Sequence, residues 1–213
     1  MILDLGNKTI NIRKWKGKDK KKFISSLQKK DIDEIEVMQS LVYDCVEEDV
    51  VLSVDEFRYV LSRIRALTLG EEISIDFYCK NCGIIHKETF NLKDAIRFNY
   101  NPRKTLEVKD VKIELGDIRN KEFYIKKIAE DEIYDLLLRI VSFNADDTFT
   151  LDELVDKLDE LDLDVLEEIM KQYNESKFRI DSINTVTCPE CKTEVKYDFD
   201  ELPGFFPESW FND

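Results

Sequence analysis

A single histidine, six glycines and four prolines are spread over 213 residues, and each scarcity closes off a class of chemistry. Nucleophilic catalysis of the Ser/His or Cys/His kind needs an imidazole base, and one histidine leaves it almost nothing to work with. No glycine-rich phosphate loop and no G-x-S-x-G elbow occur. So few Gly and Pro also argue against long flexible linkers. No apolar run reaches roughly 18 residues, so no membrane-spanning helix is expected. The opening MILDLGNKTINIRKWKGK lacks the charged, apolar and small-residue order of a secretory signal. The chain is therefore expected in a cytoplasm, where thiols stay reduced and Cys-x-x-Cys pairs favour metal over disulfide.

What the sequence has in excess is charge. Hydrophobic residues make up 43%, an ordinary globular share, but charged residues reach 37%, the mark of a folded and heavily solvated protein. Lys and Arg number 32 against 46 Asp and Glu, a formal net charge of -14. Phosphate backbones and anionic membranes repel such a chain. One segment runs the other way: 13-RKWKGKDKKKFISSLQKK-30 carries nine Lys or Arg and one Asp. A solvated loop and helix start is the plain reading; a docking arm for an acidic partner or nucleic acid is the sharper one.

Hydrophobic spacing predicts the elements. Residues 1 to 12 alternate at Ile2, Leu5, Ile10 and Ile12, as in a short strand or hairpin edge. From Asp31, the residues Ile32, Ile35, Met38, Leu41, Val42, Cys45 and Val46 fall on one helical stripe, which makes Cys45 a small core residue. Ser53 and Glu56 have the spacing of a capping box, and Gly70 supplies a left-handed stop. Between them Phe57, Val60, Leu61, Ile64 and Leu67 are expected inside, with Arg58, Arg63 and Arg65 pointing mostly elsewhere. The period then changes to two: Ile73, Ile75, Phe77 and Cys79 share a strand face, and 84-IIHKETFNL-92 returns as the second strand of a hairpin. Residues 106 to 116 are loosely strand-like at Val108, Val111, Ile113 and Leu115. Helix is expected from Glu122 to Phe143, with Ile125, Ile128, Ile133, Leu136, Leu137 and Ile140 inward. Further helix starts are expected at Thr150–Glu153 and Asp164–Glu167. A second hairpin spans 183-INTVTCPECKTEVKYDF-199.

Each hairpin carries a Cys-x-x-Cys turn: 77-FYCKNCGIIH-86 and 187-TCPECKTEV-195. Such a turn presents two thiolates, and two turns complete the tetrahedral shell of a structural zinc. Cys79, Cys82, Cys188 and Cys191 are accordingly the metal-ligand candidates, for one structural Zn2+ per chain. Gly83 suits the left-handed position after the first turn, and Pro189 stiffens the second. Residues 83 to 187 separate the pairs, but loop-closure entropy grows only logarithmically, so a self-folding insertion costs roughly 1–2 kcal/mol. Two independent redox pairs or fortuitous spacing are the competing readings, and the βαβ context a redox pair needs is missing. Four cysteines leave no open position for catalysis. His86, four residues past Cys82, is a possible replacement ligand, although a surface or packing role is the simpler assignment. The acidic run 144-NADDTFTLDE-153 fails as a calcium loop, since Phe149 stands where glycine is required and Val155 replaces the twelfth-position Glu.

The expected fold class is α+β: a split zinc ribbon of two Cys-x-x-Cys β-hairpins, with N-terminal helices and an inserted helical block. The divisions are an N-terminal strand, basic segment and helices (1–70), the split ribbon (71–100 with 183–201), a mainly helical insert (101–182) and an aromatic tail (202–213), together one compact structural unit. The tail offers Phe205, Phe206, Trp210 and Phe211, either as interface anchors or folded back on the core.

The run 56-EFRYVLSRIRALTLGEEISIDFYCKNCGIIHKETFNL-92 is an arginine-rich helix leading straight into a strand and a CxxCG turn. It is followed much later by TCPECKTEV and the aromatic tail. In that order of elements, as in length and acidity, the chain resembles the baseplate hub assembly proteins of T-even-type contractile-tailed bacteriophages. The resemblance implies a non-enzymatic protein of virion morphogenesis that helps the central hub of the baseplate form, as a chaperone or as part of it. It implies hub or tape-measure proteins as partners, and a place in the host cytoplasm during assembly or in the virion tail. Of site residues it carries over only Cys79, Cys82, Cys188 and Cys191. A zinc-ribbon nucleic-acid-binding or transcription-regulatory protein, using residues 13 to 30, is the alternative, and the net charge opposes it. A thiol oxidoreductase would need accessible, low-pKa thiols and no metal.

Overall fold

A computed structural model of the chain describes residues 1–27, 34–118 and 133–198. In chain order its elements are β1 (Ile2–Asp4), β2 (Thr9–Asn11), α1 (Gly17–Leu27), α2 (Glu34–Tyr43), α3 (Val54–Leu69), β3 (Glu72–Tyr78), β4 (Ile85–Asn91), α4 (Leu92–Ala95) and β5 (Arg97–Asn99). Then follow β6 (Thr105–Val108), β7 (Val111–Leu115), α5 (Ile133–Leu137), β8 (Ile140–Phe143), α6 (Leu151–Asp159), α7 (Leu163–Ser176), β9 (Arg179–Asp181), β10 (Ile183–Thr187) and β11 (Glu194–Asp198). The class is mixed α+β with small antiparallel sheets. No described helix is long and apolar enough to cross a membrane. The chain divides into two compact units, one of residues 1–49, 56–99 and 180–213 and the other of residues 50–55 and 100–179.

In the first unit, β1 and β2 pair antiparallel, Leu3 opposite Ile10. Leu3, Leu5, Ile10 and Ile12 are buried, whereas Ile2 is 71% exposed, so the inward face is the one carrying Leu3. On α2 the buried residues are Val37, Leu41 and Val42, with Cys45 just beyond it; Ile32 and the Ile35 side chain lie outside the described residues. Trp15 is buried and its indole N–H donates to Leu41 O at 3.2 Å. The basic stretch is anchored by Asp19, whose buried carboxylate accepts from Arg13 at 2.7 Å and from the Lys16 N–H at 2.7 Å. That pairing with Arg13 holds Asp19 below its ordinary pKa.

Helix α3 differs from expectation on two sides. Leu67 is exposed at 38%, while Arg63 and Arg65 are buried at 7% each. Arginine can bury its stem where its guanidinium finds acceptors, and here main-chain carbonyls are among them. Arg63 donates to Ile96 O at 2.6 Å and to Leu92 O at 3.3 Å, with its guanidinium 4.5 Å from the Tyr59 ring centre. Arg65 donates to Gly70 O and to Glu72 O, tying the end of α3 to the start of β3. Gly70 ends the helix as expected, at φ +98° with its N–H on Ala66 O. The helix also begins directly after Ser53, and the buried Glu56 carboxylate accepts from Lys8 at 2.9 Å.

The second unit is built on the sheet β6-β7-β8. The two-residue turn between β6 and β7 has Lys109 at φ 53°, the left-handed conformation such hairpins need. Residues 140 to 143, expected at the end of a helix, form β8 instead: β-branched Ile140 and Val141 favour a strand, and Ile140, Ser142 and Phe143 pair along β7 opposite Leu115, Glu114 and Ile113. Ile125 and Ile128 lie outside the described residues. The register slips at Glu114/Leu115, and Gly116 follows, where an added Cβ would lie 2.6 Å from Val141 Cγ1. Leu106, Ile113, Leu136, Ile140, Leu158 and Tyr173 form the core between this sheet and the helices. Helix α6 starts with the expected capping box: Glu153 N–H donates to Thr150 Oγ1, and Thr150 N–H to the Glu153 carboxylate. Helix α7 starts two residues earlier than expected, after Asp162, and Asp164 instead accepts from Lys109 at 2.7 Å.

Candidate metal centre

The two cysteine turns fold alike although their sequences differ. In the first, Cys79 N–H donates to Ile84 O at 3.0 Å and Gly83 N–H returns to Cys79 O at 2.8 Å. In the second, Cys188 N–H donates to Thr193 O at 2.9 Å and Lys192 N–H to Cys188 O at 2.9 Å. Gly83 and Lys192 occupy the same left-handed position, at φ 75° and 61°. Lysine there costs about 1 kcal/mol that glycine avoids, so the second turn holds a strain that its sequence does not advertise.

Strand parity then aims the sulfurs. On β3 the residues Ile73, Ile75 and Phe77 face inward and Cys79 continues that face; on β10 Val186 and Cys188 do the same. The hairpins β3-β4 and β10-β11 are joined by more than thiols. Phe90 of β4 stacks on Tyr197 of β11 at 6.1 Å between ring centres. The Asn184 amide of β10 donates to Ala95 O of α4 at 2.9 Å. Arg63 holds the neighbouring Leu92 and Ile96 carbonyls, so α4 is gripped from α3 and from β10 together.

The consequence is a cluster of four sulfurs that could hold a metal ion, all within 4.8 Å of one another. Cys79 Sγ lies 3.6 Å from Cys191 Sγ, and Cys82 Sγ lies 3.6 Å from Cys188 Sγ. These separations exceed a disulfide bond of about 2.05 Å, and all four cysteines are free. A tetrahedral ion with metal–sulfur bonds of about 2.3 Å would set sulfurs about 3.8 Å apart, so the donor set and spacing are compatible with zinc. Cys79 and Cys188 are fully buried; Cys82 and Cys191 are partly exposed.

Four thiolates in so small a space repel, and the charge of a divalent cation is what lets all of them ionise. Cys191 is held down to about 5, by the Asn81 side chain and then by the Thr193 hydroxyl and N–H. Cys82 is driven up to about 12: the Ile84 backbone favours its thiolate, but desolvation and the hydrogen bonds of the other three thiols outweigh that. Cys45, the fifth cysteine, lies away from this cluster in the core, and burial raises it to about 11.

His86, weighed from the sequence as a replacement ligand or a surface or packing residue, lies beside the cluster in a contact the sequence reading did not foresee. Its Nε2 lies 3.2 Å from Cys188 Sγ, and its ring sits 5.4 Å from Phe77, directly opposite in the β3-β4 register. It is half-buried, packs on Phe77 and also reaches the cysteine cluster. The signal was available: pairing across a hairpin puts the partner of inward-facing Phe77 on the inward face too. The aromatic tail residues Phe205, Phe206, Trp210 and Phe211 lie outside the described residues. On the basic segment Lys14, Lys16, Lys18 and Lys21 are exposed, and Lys22 pairs with Asp44 at 2.6 Å.

Among models of known protein families, the one described as T4 bacteriophage base plate protein matches residues 1–207. No curated protein and no solved structure matches the chain.

Proposed function

Because the chain belongs to the family of T4 bacteriophage base plate proteins, we propose that it serves tail morphogenesis at the central hub of the base plate, as an assembly chaperone or as part of the hub. It does so without catalysing a reaction. The observation that carries this reading is the extent of the family match, residues 1–207, which takes in both cysteine turns and everything between them. Base plate proteins are its partners, hub or tape-measure proteins among them. It acts in the host cytoplasm while the tail is built, or within the finished tail.

Cys79, Cys82, Cys188 and Cys191 hold one structural zinc, which makes the two hairpins a split zinc ribbon. The sulfur spacing and the convergence of four thiols support this. A closed four-sulfur shell leaves zinc no position for water or substrate, so its contribution is to fix the hairpins against each other. The outward face beside the first turn carries exposed Tyr78, Ile84 and Ile85, an apolar patch suited to protein contact. The tail residues Phe205, Phe206, Trp210 and Phe211 supply further anchors of the type that dominates interfaces.

Two measurements test the reading. Co-purification of the tagged full chain with co-expressed hub and tape-measure proteins should recover a defined complex, weakened by Tyr78→Ser with Ile85→Ser. Recovery of no tail protein would count against the assembly role, and salt-dependent retention on DNA or RNA would move it to the nucleic-acid reading. Elemental analysis should find about one zinc per chain.

A further inference from the structure

We propose that His86 is a fifth functional residue of the cysteine centre, donating an Nε2–H hydrogen bond to the Cys188 thiolate and thereby tightening the hold on the metal. This rests on the zinc reading above. Cys188, like Cys79, is a buried sulfur for which such a donor matters. It is fully buried, and its own backbone N–H is spent on Thr193 O. Its turn partner Cys191 is partly exposed and has the Thr193 hydroxyl 3.4 Å away. A buried thiolate without a donor carries a desolvation cost.

The position of His86 is built rather than incidental. β4 runs antiparallel to β3 with His86 opposite Phe77, and the tilted contact of the two rings at 5.4 Å sets the imidazole plane. That places Nε2 at 3.2 Å from Cys188 Sγ, the separation of an N–H to sulfur hydrogen bond. Direct ligation by Nε2 would require one of four sulfurs, already mutually within 4.8 Å, to leave the shell. Outer donors of this kind orient the ligand and offset part of its charge, and their loss costs roughly 10–100-fold in metal affinity.

The test uses the full chain as wild type and as His86→Phe, His86→Ala and His86→Gln, loaded with Zn2+ and separately with Co2+. Phenylalanine keeps the packing on Phe77 but has no donor; glutamine places an amide N–H near the Nε2 position. Competition with a chromophoric chelator should show affinity falling about 10–100-fold in His86→Phe and His86→Ala. It should show faster release in both, and recovery of most of the loss in His86→Gln. The Co2+ spectra should report four thiolates in every variant, with the charge-transfer band displaced where the donor is absent. Zinc-loaded wild type with His86→Phe equally tight and equally slow to release overturns this proposal alone. So does a wild-type Co2+ spectrum of three sulfurs and one nitrogen. Wild type that takes up no metal overturns the zinc reading and this proposal with it.

Discussion

Replacing Arg63 by alanine removes the grip of α3 on the short helix α4, and the cost can be worked from its contacts. The 2.6 Å bond to Ile96 O joins a charged donor to a carbonyl in a buried setting, worth about 1.5–3 kcal/mol. The 3.3 Å bond to Leu92 O counts for less, because that oxygen also receives the Ile96 N–H at 3.1 Å. The guanidinium over the Tyr59 face, at 4.5 Å, adds about 0.5–1 kcal/mol. Arg63→Ala should therefore destabilise the first unit by about 3 kcal/mol. Arg63→Met retains the buried stem but neither donor, and should cost about 2 kcal/mol. Arg63→Lys should lie between it and wild type, since an ammonium reaches one carbonyl but lacks the planar fork. Urea unfolding followed by fluorescence in a Trp210→Phe background reads this unit through the buried Trp15. If Arg63→Met matches wild type to within about 0.5 kcal/mol, the ordinary scatter of neutral surface changes, then apolar packing holds the junction and the hydrogen-bond argument is wrong.

Three further outcomes are expected. Cys188→Ser should abolish stoichiometric zinc while Cys45→Ser leaves it at one per chain, as read by elemental analysis; equal zinc in both would remove the cysteine cluster from consideration. Gly116→Ala forces a methyl to within 2.6 Å of Val141 and should lower stability by about 1–3 kcal/mol, an effect that Gly116→Ala with Val141→Ala should largely relieve in thermal melts. Asp19 has its carboxyl pKa lowered by Arg13, so its contribution is fully present above the ordinary value of 3.8 and is lost as pH falls through the lower folded value. The stability gap between wild type and Asp19→Asn, about 1–2 kcal/mol, should hold steady from pH 7 to about 4 and close below that; a gap that widens on acidification would contradict the pairing.

The features legible in the sequence were those written in local code. Period-two runs ending at Cys-x-x-Cys identified both hairpins, and the inward parity of Cys79 followed from Ile73, Ile75 and Phe77. Thr150 and Glu153 announced the capping box because its two hydrogen bonds join residues three apart. Arg63 and Arg65 could not be placed that way. Their acceptors are backbone carbonyls, which carry no residue identity, so an arginine with a buried stem looks in sequence like one on the surface. Ile140 to Phe143 had helical spacing with Ile133, Leu136 and Leu137, and only pairing with the distant β7 makes a strand of them. The second turn was recognisable from its cysteines, yet its left-handed Lys192 was not. There the demand of the turn overrides the preference of the residue.

The arginines also explain why the helix and the first cysteine turn belong together. Arg65 fixes where β3 leaves α3, and Arg63 fixes α4, which follows directly after β4; both ends of the first hairpin are thus set by one helix. Asn184 then brings β10 to the same α4, and Phe90 on Tyr197 aligns the two hairpins along their length. For a metal site split across residues 83 to 187, ordering the second hairpin would be a costly step, and these contacts offset part of that cost. On this account metal removal should loosen the turns at 79–84 and 188–193 while α3 and α4 stay protected from hydrogen exchange. Breaking the Arg63 and Asn184 clamps instead should weaken metal binding from a distance. If zinc affinity were unchanged in Arg63→Met with Asn184→Leu, the ion itself would be assembling the hairpins, and the fold would be the product of the site rather than its support.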